Sequence, residues 1–578
     1  MGKPRTRVSR IRIKKRRVRG LLFVGLLIVL SLSLFGVYKL FNRAQIVSNP
    51  IIKYVCSNKE SVDLLDNELK KKDTINRGKK VNVYKNQLKD NEENTYTKIK
   101  YEGKTFYIND INLTKEKRDI VREEKVYVRT PTTLYKSIDT GEIESSLKKG
   151  DELVVLDYDT IDGNGKVNVY KVKVGEQEGY VYQKYVLLDQ EESLVNYDPA
   201  KYYEVHNNRG NRFNGGHAGN LDYYPVEKPV FEDNVMPPKV YALYLNSGSH
   251  ILKNIDAYIE YALSTKINAF VVDIKDDSAG YKSKVLETLS PTNYKYANNS
   301  LEGYKTAITK IKEAGFYVIG RVTVFKDRNY CIDNPSMAIL NTQTNEPYFH
   351  NNTYWPSPFQ RPVWEFNVNL AKEAATEMGF NEIQFDYVRF PDKTGGAEKN
   401  GTMNLRNDYG EEKAQAIQSF VRYATDELHK LNVYVSVDVF GESAYNYVTA
   451  YGQYWPAISN IVDVISGMPY PDHFNKYEFD FKELVWTVPY ELLNHWGSKY
   501  VMKRQTEIPT PAIIRTWVQA YDVSKYKHPG GFSYGVSQID AQIKGLFDAG
   551  LTGGYMTWLS SSNLERYKSQ KEVFDKEY

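Results

Sequence analysis

With two cysteines in 578 residues, Cys56 and Cys331, the chain has no material for a disulfide scaffold or a thiolate metal cluster. It also lacks H-E-x-x-H, a G-x-x-x-x-G-K-[ST] loop and any C-x-x-C pair, which sets aside zinc-peptidase, nucleotide-phosphate and dithiol chemistry. Nor does the body of the chain carry a basic excess. The formal net charge is +5, but residues 1–20 alone hold ten Lys or Arg and no acid, leaving 67 basic against 72 acidic groups, a net of −5. A nucleic-acid-binding body is therefore not expected.

Long apolar runs are equally scarce. The one present, "LLFVGLLIVLSLSLFGVY" (21–38), would make a helix of about 27 Å, close to the hydrocarbon thickness of a bilayer. With "MGKPRTRVSRIRIKKRRVRG" before it, the positive-inside rule predicts a basic cytoplasmic tail (1–20), a transmembrane anchor (21–41) and an extracellular remainder: a single-pass protein of the cell membrane. A cleaved signal peptide fits less well, because no A-x-A-like site ends the run.

Residues 51–190 alternate at period two between polar turns. "LKKGDELVVL" (147–156) and "VNVYKVKV" (167–174) read as strands and "DGNG" (162–165) as a hairpin turn. The opening Val126–Arg129, "LKKG" at Leu147–Gly150 and the ending Gly179–Val186 resemble bacterial Src-homology-3-like modules, with one module expected over 119–190 and a degenerate copy over 51–118. Such modules commonly bind peptidoglycan, and a spacer is the alternative role. Residues 191–237, crowded with Gly, Asn and Pro, read as a linker in which His217 is a solvated loop residue.

From residue 238 to about 570 short apolar runs alternate with helical stretches, which signals βα units and a parallel sheet. Eight candidate strands, among them "AFVVDIKDD" (269–277), "YVIGRVTVF" (317–325), "EIQFDYVRF" (382–390) and "VYVSVDVFG" (433–441), predict a closed (βα)8 TIM barrel with its site at the strands' C-terminal ends. In the fourth strand Ile383 and Phe385 alternate with Gln384 and Asp386; in the fifth, Val435 and Val437 alternate with Ser436 and Asp438. Asp273 and Lys275 in the second strand and Arg321 and Thr323 in the third are likewise expected to face inward. Burying charges costs several kcal/mol unless they are paired or used, so the inward carboxylates point to a site, with an internal salt-bridge network of Asp273, Arg321, Asp386 and Asp438 as the alternative.

"EIQFDYVRFP", "VVDIKDD", "SVDVFG", "WVQAY" and "GYMTWLSS" together resemble the bacterial "putative glycosyl hydrolase domain" family, whose barrels are similar to the α-amylase type. The resemblance implies hydrolysis of a glycosidic bond by a pair of carboxylates. It assigns the nucleophile to Asp386 and the acid to Asp438 or Glu442. Asp273, Asp276, Arg321, Gln384, Tyr387, Arg389, Tyr470, Gln519 and Trp558 are the expected substrate-binding residues, and Trp355 and Trp517 could add ring faces. The implied substrate is a cell-wall or surface polysaccharide, or peptidoglycan. No cofactor or metal is implied, although "DIKDD" could form a carboxylate metal site. The rival reading is a barrel that binds wall carbohydrate without cutting it.

Overall fold

The computed structural model describes residues 20, 23–37, 50–209, 214–528 and 530–578. Residues 1–19, and the ends of the expected anchor, lie outside them. No helix among the described residues is long and apolar enough to cross a membrane. The expected transmembrane anchor and the membrane localisation built on it are corrected accordingly.

The chain divides into two compact units. The first comprises residues up to Lys125 with Val154–Lys171 and Tyr182–Lys184. Its seven strands, from Ile51–Val55 to Leu113–Thr114, form one antiparallel sheet. Alternation along these strands buries Val55, Leu64, Ile75, Ile99 and Ile108 on one face as the unit's core. Arg77 and Glu123 form a fully buried ion pair beneath Tyr170, whose hydroxyl also reaches Glu123 at 3.1 Å. A second seven-stranded sheet lies between Lys125 and Leu187. Two seven-stranded sheets thus stand where small SH3-like barrels were expected.

The second unit comprises Val126–Leu153, Val172–Val181 and Tyr185–Tyr578. Its centre is a parallel sheet of β1 (Val240–Leu245), β2 (Ala269–Lys275), β3 (Tyr317–Thr323), β4 (Glu382–Asp386), β5 (Tyr434–Phe440), β6 (Val464–Met468), β7 (Ile513–Ile514), β8 (Thr516–Gln519) and β9 (Gly554–Trp558). The order β7-β6-β5-β4-β3-β2-β1-β9-β8 curls into a near-barrel. This corrects the closed eight-stranded (βα)8 barrel: a further two-residue strand, Ile513–Ile514, precedes the seventh expected strand (516–522) and is separated from it by Arg515. Ile513–Ile514 pairs with β6 and Thr516–Gln519 with β9, so the two ends of the sheet are joined through one residue.

Side chains inside the near-barrel lie in layers. At the N-terminal end Arg515 donates twice to Glu382, at 2.8 and 2.9 Å, and Tyr317 donates to the same carboxylate at 3.0 Å. Above them Gln384 reaches Ser466 at 3.3 Å, among Ala242, Val271, Ile319 and Met556. The opposite face of β4 is apolar: Phe385 packs on Phe420 of the helix Lys413–His429, ring centroids 5.6 Å apart. Residues 218–223 of the Gly- and Asn-rich stretch also pack, with Leu221 and Tyr223 buried against Ala414, Val448 and Tyr454.

Candidate active site

The uppermost layer, at the C-terminal ends of the strands, gathers Asp273 from β2, Arg321 from β3, Asp386 from β4 and Asp438 from β5. Period-two alternation turns these side chains inward, and the register pairs Asp273 with Arg321 and Arg321 with Gln384 across adjacent strands. Arg321 is the hub. Its guanidinium donates to Asp273 at 2.7 Å and to Asp386 at 2.5 Å, and lies 3.7 Å from Asp276 and 3.8 Å from Asp438. Four carboxylates surround one guanidinium, and three of them, with Arg321 itself, are buried.

That imbalance sets the protonation states. Burial pushes Asp273 up to about 7, the charge of Arg321 pulling it back and that of Asp276 adding to the rise. Burial, then the charge of Asp386, holds Asp438 well above the usual carboxylate range despite Arg321 and an indole hydrogen bond. Asp276, at the rim, also feels burial, but Arg321, Lys326 and a 3.0 Å bond from Thr323 keep it below its ordinary value. Burial thus shifts Asp273 and Asp438 toward their protonated forms, while Asp276 is shifted toward its charged form.

The two oxygens of Asp438 are not equivalent. Oδ1 accepts the Trp517 indole N–H at 2.7 Å, whereas Oδ2 is buried with no hydrogen-bond partner, as is the Arg321 Nε facing it. Asp386 ends its strand, accepting the Tyr387 amide at 2.5 Å, and Tyr387 adopts φ of 51°, a left-handed conformation uncommon for a bulky side chain. Trp558 roofs the cluster half-buried, its ring 5.1 Å from the Arg321 guanidinium and edge-on to Trp517.

The expected site residues divide by place. Asp273, Asp276, Arg321, Asp386, Asp438 and Trp558 come together, with Tyr470 buried beside them in the core that also holds Trp517. Gln384 lies one layer deeper. The Gln519 side chain accepts the Asp472 amide at 3.2 Å and donates to the Tyr521 carbonyl at 3.0 Å. Arg389 is boxed by rings, its guanidinium 4.5 Å from Phe440 and 5.0 Å from Tyr387. Glu442 lines a separate cleft. Lys275 does not join the cluster: the register slips between Asp273 and Lys275, and its ammonium turns to the Thr323 carbonyl and to Asp327 at 2.7 Å.

One participant, Tyr244, escaped sequence reasoning, and Trp517, expected only as a ring face, turned out to be a hydrogen-bond donor. Tyr244 donates a short hydrogen bond to Asp273, and Trp517 holds Asp438. The alternation Val240, Ala242, Tyr244 in β1 carried the signal for the first. Conversely, residues 531–535 have the G-x-S-x-G spacing of a serine nucleophile. Ser533 lies in a loop, its hydroxyl 3.4 Å from Asp522, and does not top a sheet strand. Among the described residues no group of three His, Cys, Asp or Glu is placed to hold a metal ion.

Residues 242–564 match the family model described as "Putative glycosyl hydrolase domain". No curated protein matches the chain. Among solved structures, a hypothetical protein from Ruminiclostridium thermocellum is 30% identical, with 34% of this chain and 97% of that one covered and a TM-score of 0.29. The PgaB (BpsB) glycoside hydrolase domain from Bordetella bronchiseptica is 13% identical over 59% of this chain and 100% of its own, TM-score 0.40. The Flavobacterium johnsoniae chitobiase is 11% identical over 58% and 48%, TM-score 0.39. The family match leaves residues 51–190 outside it, and a peptidoglycan or membrane partner gains no support.

Proposed function

Because the chain belongs to the "Putative glycosyl hydrolase domain" family, which spans residues 242–564, we propose that the acidic cluster is its active site and cuts glycosidic bonds in a polysaccharide. One observation carries the assignment of residues: four carboxylates share a single guanidinium in a mostly buried layer, which favours a retained proton on one of them. Glycoside hydrolysis needs one carboxylate that is ionised and one that is protonated. Asp386, bonded to Arg321 at the strand end, takes the first role, as nucleophile or as base toward water. Asp438 takes the second. Its Oδ1 is occupied by the Trp517 N–H, so the proton belongs on Oδ2, the oxygen without a protein partner. As the bond to the leaving oxygen breaks, that proton passes to the leaving group, and the Nε–H of Arg321 is poised to meet the new charge.

A salt-bridge network alone fits less well, since a single guanidinium is shared among these four acids. The test is release of new reducing ends from a panel of bacterial polysaccharides by the full chain and by Asp386→Asn. Cleavage by the parent and none by the variant is expected; equal cleavage by both would remove Asp386 from the chemistry.

A further inference from the structure

We propose that the cleft at the C-terminal ends of β5 and β6 is a subsite for uncharged pyranose residues of the substrate chain, with Glu442 accepting sugar hydroxyls. The inference rests on the hydrolase reading and adds where the chain lies and what kind of sugar it carries. The cleft holds about 580 Å³, within the roughly 300–1,000 Å³ of small-molecule sites. Its walls include Phe440, Tyr445, Tyr447, Tyr451 and Met468. Met468 also packs against the inner core that contains Tyr470 and Trp517, the hydrogen-bond partner of Asp438, so the cleft adjoins the core on which the acidic cluster rests.

Glu442 is built into this wall. Its Oε1 accepts the Tyr447 hydroxyl at 3.0 Å and its Oε2 the Tyr451 hydroxyl at 2.8 Å. Each carboxylate oxygen can accept twice, so one position on each stays available to a ligand donor. Two hydroxyls of a sugar ring match that pair of acceptors. Tyr445 is braced by Tyr500, with ring centroids 4.9 Å apart, and by Tyr447 at 5.9 Å. Braced rings of this kind offer an apolar face with a polar rim at little entropic cost.

The remaining charges argue against a charged ligand. Glu478 accepts from Asn475 at 2.6 Å and from Tyr445 at 3.3 Å, Asp392 lies 3.4 Å from Arg389, and Lys527 lies 3.7 Å from Asp472. The cleft mixes three acids with Lys393, Lys527 and His473 and shows no excess of one sign large enough to select an ion.

The test uses the full chain carrying Asp386→Asn, so that ligands are not consumed, titrated calorimetrically with cello-, xylo-, manno- and maltotetraose. At least one of these should bind, and Glu442→Gln and Tyr445→Ala, each added to that background, should weaken it about tenfold or more. Glu442→Gln keeps the side chain's shape and guards against collapse at Tyr445. If no neutral tetrasaccharide binds, or if binding is indifferent to both substitutions, the subsite is refuted. Polymer cleavage that still depends on Asp386 would then leave the hydrolase reading standing, whereas absence of cleavage by the parent would remove that reading itself.

Discussion

Asp438 shows how one side chain can be held in its acid form. Its carboxyl is buried, faces a second carboxylate, and has one oxygen tied to an indole. That indole hydrogen bond favours the charged form, so removing it should hold the proton more tightly. Trp517→Phe is therefore expected to move the high-pH limb of the pH–rate profile to higher pH, with a lower maximum rate. An unmoved limb would detach Asp438 from the acid role. Asp273 offers a cleaner stability readout, because its folded value of about 7 lies above an unfolded value of about 3.9. A raised value means that the native state holds the proton more tightly. The stability it contributes is complete below pH 4 and lost as pH rises through 7. Arg321, Asp276 and the Tyr244 hydroxyl all face this carboxyl and set its window. The melting temperature of the parent minus that of Asp273→Asn should fall between pH 4 and about 7 and then level off. A difference that rises with pH would reverse the assignment.

At the scale of elements, the same strand carries two carboxylates with opposite duties. Glu382 opens β4 and is matched by Arg515 and Tyr317, with both members of the ion pair fully buried. Asp386 closes β4 in a layer where acids outnumber cations. Glu382→Gln leaves a buried guanidinium uncompensated, and should cost about 3–5 kcal/mol in denaturant unfolding of the second unit. Asp438→Asn removes a surplus acid and should cost little or nothing. Equal losses would mean that both layers are structural. The split of β7 from β8 belongs to the same accounting, since Arg515 occupies the break and sends its side chain inward to Glu382.

Across the whole molecule, the sequence was most legible where a period-two pattern met a buried face. Alternation in β3, β4 and β5 placed Arg321, Asp386 and Asp438 correctly, because a one-residue error would put charge on the helix-packed side. It failed at Lys275, where a register slip breaks the period, and it did not reach Arg515, which lies just before the expected seventh strand and pairs with a residue 133 positions away in the chain. Tyr244, and the hydrogen bond made by Trp517, were hidden because aromatic residues at inward positions look like packing until a carboxylate is seen against them. The apolar run at 21–38 was read from its length and flanking charge, and no helix among the described residues is long and apolar enough to cross a membrane. The central claim is that the uppermost layer exists for chemistry, and one paired measurement tests it most directly: polysaccharide cleavage and thermal melting of Asp438→Asn beside the parent. Loss of about 10²–10⁴ in rate at an equal or higher melting temperature is the expected result. A variant that melts well below the parent while cutting polymer at an undiminished rate would contradict it.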